Sequence, residues 1–158
     1  QDKDFSDAQI VKTVRAIQDA GINVIANYMF GLEGDTLESM QRTLDLALEL
    51  RTAWANFYPT MMYPGSRLYA DAIKAGRPVP EKWAMYAPLG YECVPYTPEG
   101  LTPAEVLRFR DMAFLRYFGD PEYLAMIQGK FGQAAVVDIL EMVAAGPPKR
   151  RILEHGQH

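Results

Sequence analysis

Cysteine and histidine are nearly missing from this sequence. Cys93 is the single cysteine among 158 residues, so an internal disulfide and a cysteine metal cage are both excluded. The two histidines, His155 and His158, stand at the end of the chain. A Ser-His-Asp triad or a histidine-rich metal site within the core is excluded by the same inventory. One cysteine fits the reducing cytoplasm. Long apolar runs are lacking too: the longest, Val24 to Leu32, is interrupted by Asn27. It is far short of the roughly 20 residues that span a bilayer, so no membrane partner is expected. No basic, apolar leader starts at Gln1. Positive charge is not in excess, with 16 Lys and Arg against 20 Asp and Glu. A nucleic-acid partner, which requires phosphate neutralisation, is therefore not expected. The one basic run, Lys149-Arg150-Arg151, follows Gly146-Pro147-Pro148. It reads first as a solvated tail, and second as a segment docked on a neighbour.

What is present suits a packed core, with 49% hydrophobic and 23% charged residues. Ser6-Asp7-Ala8-Gln9 is a capping box, and Ile10, Val14 and Ile17 continue at helical spacing, predicting a helix from Asp7 to Ala20. Ile22 to Phe30 is a β-branched and aromatic run between Gly21 and Gly31. It predicts a strand apolar on both faces, as in the interior of a parallel sheet. Gly31-Leu32-Glu33-Gly34-Asp35-Thr36 is a turn whose Asp or Thr caps the next helix. Leu37, Met40, Leu44, Ala47 and Leu48 form that helix's buried stripe, which ends near Arg51. Trp54 to Met62 is a second strand, and Pro59 places it at an edge or on a bulge. Strand, helix and strand make one βαβ unit.

Ser66 caps a short helix to Ala75. Gly76 to Leu101 is rich in Pro, Gly and Tyr and shows no period. Thr102-Pro103-Ala104-Glu105 is a second capping box, opening a long helix with Val106, Phe109, Ala113 and Tyr117 on one side. Asp120-Pro121-Glu122 opens another helix, and Gly132 separates it from a last one, Gln133 to Ala145. The predicted fold class is α/β: a partial TIM-barrel (βαβ) segment over 1–76, an irregular loop over 77–101, an α-helical C-terminal region over 102–148 and a tail over 149–158.

A lone βαβ unit is incomplete, because two-stranded sheets are marginal in water. Three completions are open: the helical region covers the exposed edge, strands preceding Gln1 supply the neighbours, or two chains pair as a dimer through the unpaired edge. The start in a helix without Met reads as a piece of something longer.

Gly31-Leu32-Glu33-Gly34-Asp35-Thr36, followed by Met40 and Thr43, resembles a late strand–turn–helix unit of the radical S-adenosylmethionine (SAM) barrel. Tyr63-Pro64-Gly65-Ser66-Arg67-Leu68-Tyr69 resembles the turn that follows the next strand in that family. Trp83, Tyr86 and Tyr91, with Leu107 to Asp111 and Ala113-Phe114, are similar to the C-terminal region of the subgroup carrying a cobalamin-binding domain. The resemblance covers nearly the whole chain. Glu33 stands where the family has Pro, and the three-cysteine motif for the 4Fe-4S cluster is absent. The resemblance implies a parent that cleaves SAM at that cluster, as a cobalamin-dependent methyltransferase or a cyclase. This chain would supply the distal wall of the SAM and substrate site, bind neither cluster nor cobalamin, and be inactive alone. Its partners would be the missing N-terminal part and a small-molecule substrate.

Ligands of α/β barrels sit at the C-terminal strand ends. The resemblance implies that Asn27, Phe30 and Gly31 line the adenosine pocket; read as residues, Gly31 and Gly34 shape a turn and Asn27 satisfies a backbone partner. The backbone of Met62 and Tyr63, with Met61, resembles the family's adenine-contacting position, and core packing is the alternative. Tyr86, Tyr91 and Cys93 are candidates for the substrate cavity, against plain loop packing. Arg108 and Asp111 share a helix face and are expected to pair. Arg110 beside them is a candidate anchor for an anionic substrate. No catalytic residue and no metal ligand is assigned.

Overall fold

The computed structural model describes residues 5–154; both histidines and the last four positions of the expected tail lie outside them. The described chain is α/β and mostly helical. Its elements are α1 (Asp7–Asp19), β1 (Ile25–Phe30), α2 (Leu37–Leu50), β2 (Trp54–Pro59), α3 (Arg67–Lys74), α4 (Pro103–Phe118), α5 (Pro121–Phe131), α6 (Gln133–Ala145) and α7 (Arg151–Glu154), with a 3-10 turn at Trp83–Tyr86. Both capping boxes form, Ser6 with Gln9 and Thr102 with Glu105. At α2 the cap is Thr36, paired with Ser39. Asp35 instead accepts from the Leu32 N–H at 2.9 Å and from Ser39 Oγ at 2.6 Å, closing the turn from inside. Arg51 ends α2 at φ 42°, in the left-handed region usually left to glycine.

β1 and β2 are parallel, with Ile25 opposite Trp54 and Phe30 opposite Pro59. Both strands are shorter than their apolar runs. Trp54 N–H donates to Val24 O, and Thr60 N–H to Phe30 O at 2.8 Å. Because backbone groups alternate sides along a strand, Ala26, Tyr28 and Phe30 point their N–H and C=O at β2. Ile25, Asn27 and Met29 point theirs outward, where no described residue pairs with them. On β2 the outward groups belong to Ala55, Phe57 and Pro59. Pro59 has no N–H to offer, and Arg110 Nε of α4 donates to Phe57 O at 2.8 Å. The edge role expected of Pro59 holds, and a helix rather than a third strand closes that side.

The expectation of a first strand buried on both faces is corrected. Tyr28 and Phe30 are buried, whereas Ile25, Asn27 and Met29 on the opposite face are exposed. α2 and α4 pack on one side of the sheet; on the other, Phe114 and Phe118 of α4 and the loop at Pro88-Leu89 reach only the β2 margin, and the β1 half is left uncovered. On the covered side, Phe57 stacks with Phe30 and Tyr28 and meets Tyr117 edge-on. One apolar cluster runs from there through Met40, Leu44 and Phe109 to Tyr123, Ile127, Val136 and Ile139 of α5 and α6. The strands and the helical C-terminal region are thus packed on one another. Truncating a ring such as Phe57, 1% exposed, costs about 3–5 kcal/mol in cores of this kind.

The basic run near the end is also corrected. Arg150 is 1% exposed and is among the largest fully buried side chains. Its Nη1 donates to Pro88 O at 2.8 Å, and Arg151 N–H donates to Tyr91 O at 2.9 Å. Ile152 and Leu153 of α7 then pack on Met61, Cys93 and Leu107. The segment docks on the long loop because its apolar pair and its guanidinium both find partners there, and a solvated tail would have neither.

Candidate functional site

The two strand ends stand together. The Thr60–Phe30 hydrogen bond, reinforced by Thr60 Oγ1 on the same carbonyl at 3.0 Å, ties the first residue past β2 to the last residue of β1. Beyond it, Met29, Tyr58, Pro59, Met61, Tyr63 and Pro88 line an open cavity of about 290 Å³ on the uncovered side of the sheet. Its walls are apolar apart from two phenol groups.

The expected adenosine residues divide between that side and the core. Asn27 lies on the uncovered face, where its Oδ1 accepts from Asn56 Nδ2 at 2.9 Å. Phe30 is turned into the core, fully buried and edge-on to Phe109. Gly31 holds φ +79°, and a Cβ there would stand 3.0 Å from Val106 Cγ1. Its lack of a side chain is therefore accounted for by the turn and by α4. Met62 packs its side chain with Ala72 and Tyr96. The main-chain groups of Met61 and Met62, however, have no hydrogen-bond partner among the described residues. Tyr63 is half-exposed, with its ring 6.3 Å from that of Tyr86.

The loop candidates are mostly occupied. Tyr86 is buried, and its hydroxyl donates to Pro80 O at 3.0 Å. Tyr91 donates to Glu154 Oε2 at 2.8 Å, a bond that raises its pKa and pins α7. Cys93 is 1% exposed beside Met61, and burial pushes its thiol up to about 11. A thiol so placed stays protonated near neutrality and is a poor nucleophile.

The charged cluster of α4 differs from its expected form. Asp111 pairs with Arg110, Nη1 to Oδ1 at 3.0 Å, and with Arg150 at 3.5 Å. Arg108 is exposed and takes no part. The helical spacing of Arg108 and Asp111 was satisfied, but α4 turns Asp111 inward with Arg110 toward β2 and the loop. Desolvation works against the charged form of Arg110 and lowers its pKa, while Asp111 opposes the shift.

Next to this cluster, at the β2 margin, is a smaller cavity of about 160 Å³, walled chiefly by Trp54, Asn56, Tyr58, Leu89 and Phe114 around Arg110. Of these, Arg110 alone is singled out by the sequence. The period-two alternation of β2 puts Trp54, Asn56 and Tyr58 on one face, a signal the sequence carried; Leu89 lies in an aperiodic loop and gave none. Among the described residues, no group of three His, Cys, Asp or Glu side chains is placed to hold a metal ion. No helix there is long and apolar enough to cross a membrane. Comparison with protein-family models and with curated proteins finds no match to this chain.

Proposed function

We propose that this chain is the C-terminal portion of a radical SAM enzyme, forming the last strands of a partial barrel and the distal wall of the SAM and substrate site. The supporting observation is that Gly31 and Met61–Tyr63 share one rim, above a sheet face whose β1 half no helix covers and beside a β1 edge with open backbone groups. In a complete barrel the preceding strand would pair with Ile25, Asn27 and Met29, and the uncovered face would become the inner wall. SAM would rest against Met29, Met61 and Tyr63, with the main chain of Met61 and Met62 offered to its adenine. The 4Fe-4S cluster, which supplies the electron for reductive cleavage, and cobalamin would belong to the preceding part of the parent. Cys93, alone and buried, cannot hold a cluster. The parent would be a cytoplasmic cobalamin-dependent methyltransferase or cyclase, and this chain alone would be inactive.

The reading frame upstream of Gln1 tests this directly. Three cysteines, with three and then two residues between them, are expected there, and their absence would overturn the reading. On the whole protein, calorimetry should show saturable SAM binding that Met29→Glu weakens. Substitution at Gly31 is uninformative for this purpose, since it disturbs the packing on Val106. The alternative, a helical interaction module, is favoured by Phe131, Val137 and Leu140, which α5 and α6 leave exposed. A whole protein that ignores SAM would support it.

A further inference from the structure

We infer that the cavity between β2 and α4 is a binding site for a ring-bearing organic anion, a carboxylate held by Arg110. The inference stands on this cavity and does not require radical chemistry.

Charge is the first argument. Arg110, Asp111 and Arg150 are each buried, at 6%, 6% and 1% exposure. Two guanidinium groups face one carboxylate, and the cluster keeps one positive charge unmatched inside the protein. A buried charge without a counter-charge is costly, and a bound anion relieves that cost. Arg150 is spent on Pro88 O and Asp111, and its Nε is sealed without a partner.

Geometry is the second. Arg110 is fixed on two sides, by Nε on Phe57 O at 2.8 Å and by Nη1 on Asp111 at 3.0 Å. Its guanidinium carbon lies 5.4 Å from the centre of the Phe114 ring. Nη2 has no partner among the described residues and is not sealed from solvent, and Arg110 lines the cavity. A guanidinium held in this way presents one donor with little entropy left to lose. Of the other polar walls, Asn56 already accepts from Trp54 Nε1 at 3.1 Å and donates to Asn27, and Tyr58 offers only a phenol hydroxyl. The charge of the ligand is therefore directed to Arg110.

Size is the third. The walls are Trp54, Tyr58, Leu89 and Phe114, and the volume is about 160 Å³. An apolar cavity of about 150 Å³ accepts a benzene ring. A single ring bearing a carboxylate fills this space with its charge at Arg110. Tyr58 lines both this cavity and the rim cavity.

Benzoate and its neutral analogue benzamide are the probes, titrated into the chain and followed by the indole N–H resonance of Trp54. Trp83, the other tryptophan, is 80% exposed and does not line the cavity. Benzoate should bind saturably and shift the Trp54 resonance, with benzamide about tenfold weaker or more, as expected for a lost charged hydrogen bond. Equal affinities, or no saturable shift with benzoate, would overturn the inference. Arg110→Gln should reduce benzoate to the level of benzamide; a folded variant with unchanged benzoate affinity also overturns it. Should that variant not fold, the two ligands on the unsubstituted chain decide alone.

Discussion

Oδ1 of Asp111 accepts from Arg110 Nη1 and from Arg150 Nη2, and the second of these bonds joins residues 39 apart in sequence. One carboxylate thereby ties α4 to the segment that starts α7. Removing it leaves two buried guanidinium groups facing each other. Asp111→Ala should cost about 3 kcal/mol or more, read as a lowered urea midpoint. A loss under about 1 kcal/mol would mean that water reaches the cluster.

Gly31 makes a second prediction, with two separable parts. Its φ of +79° penalises any side chain, and the contact with Val106 adds a steric cost. Gly31→Ala should destabilise by about 1–3 kcal/mol. Adding Val106→Ala should recover part of the contact cost and none of the backbone cost. A double-mutant cycle that is strictly additive would rule out the contact.

Burial of Cys93 sets a third. Its pKa rises from an ordinary 9.0 to about 11, and that of Tyr117 from 10.0 to about 12, both chiefly by desolvation. Folded values above unfolded ones mean that this stability is complete below the unfolded pKa and is lost as pH climbs through the folded one. Urea midpoints should therefore fall from about pH 9 upward. Cys93→Ala should flatten the lower part of that decline and leave the part due to the buried tyrosines Tyr28, Tyr117 and Tyr123, all raised by desolvation. Ile152→Asp, which opens the α7 cover over Cys93, should speed labelling of the thiol several-fold.

The uncovered face of the sheet gives a fourth. Ile25 is 63% exposed, so Ile25→Lys should change stability by no more than about 0.5 kcal/mol. A larger loss in urea, or a sedimentation coefficient that falls from dimer to monomer, would show that a second copy covers this face.

Local signals were the readable ones. The boxes Ser6–Gln9 and Thr102–Glu105 involve residues three apart, so hydroxyl and amide or carboxylate chemistry alone places both helix starts. Gly132 and Pro59 were equally plain, one as a helix break and the other as a strand that must stop pairing. Arg150 was opaque, because nothing near Lys149 announces that Pro88 and Asp111 await it. The same holds for β1: a run of Ile, Val, Tyr, Met and Phe reads as apolar on both faces, and only the placement of α2 and α4 on one side decides which residues are covered. Asp111 was assigned to Arg108 by spacing, since a helix face cannot be oriented without knowing what it packs on.

Pro59 and Arg110 also make the two margins of the sheet unequal. One has no donor at its end and its carbonyl at Phe57 is taken by a side chain, while the other still offers a full row of amides and carbonyls beside Asn27. A further strand therefore finds a complete set of partners on the β1 margin and an interrupted one on the β2 margin.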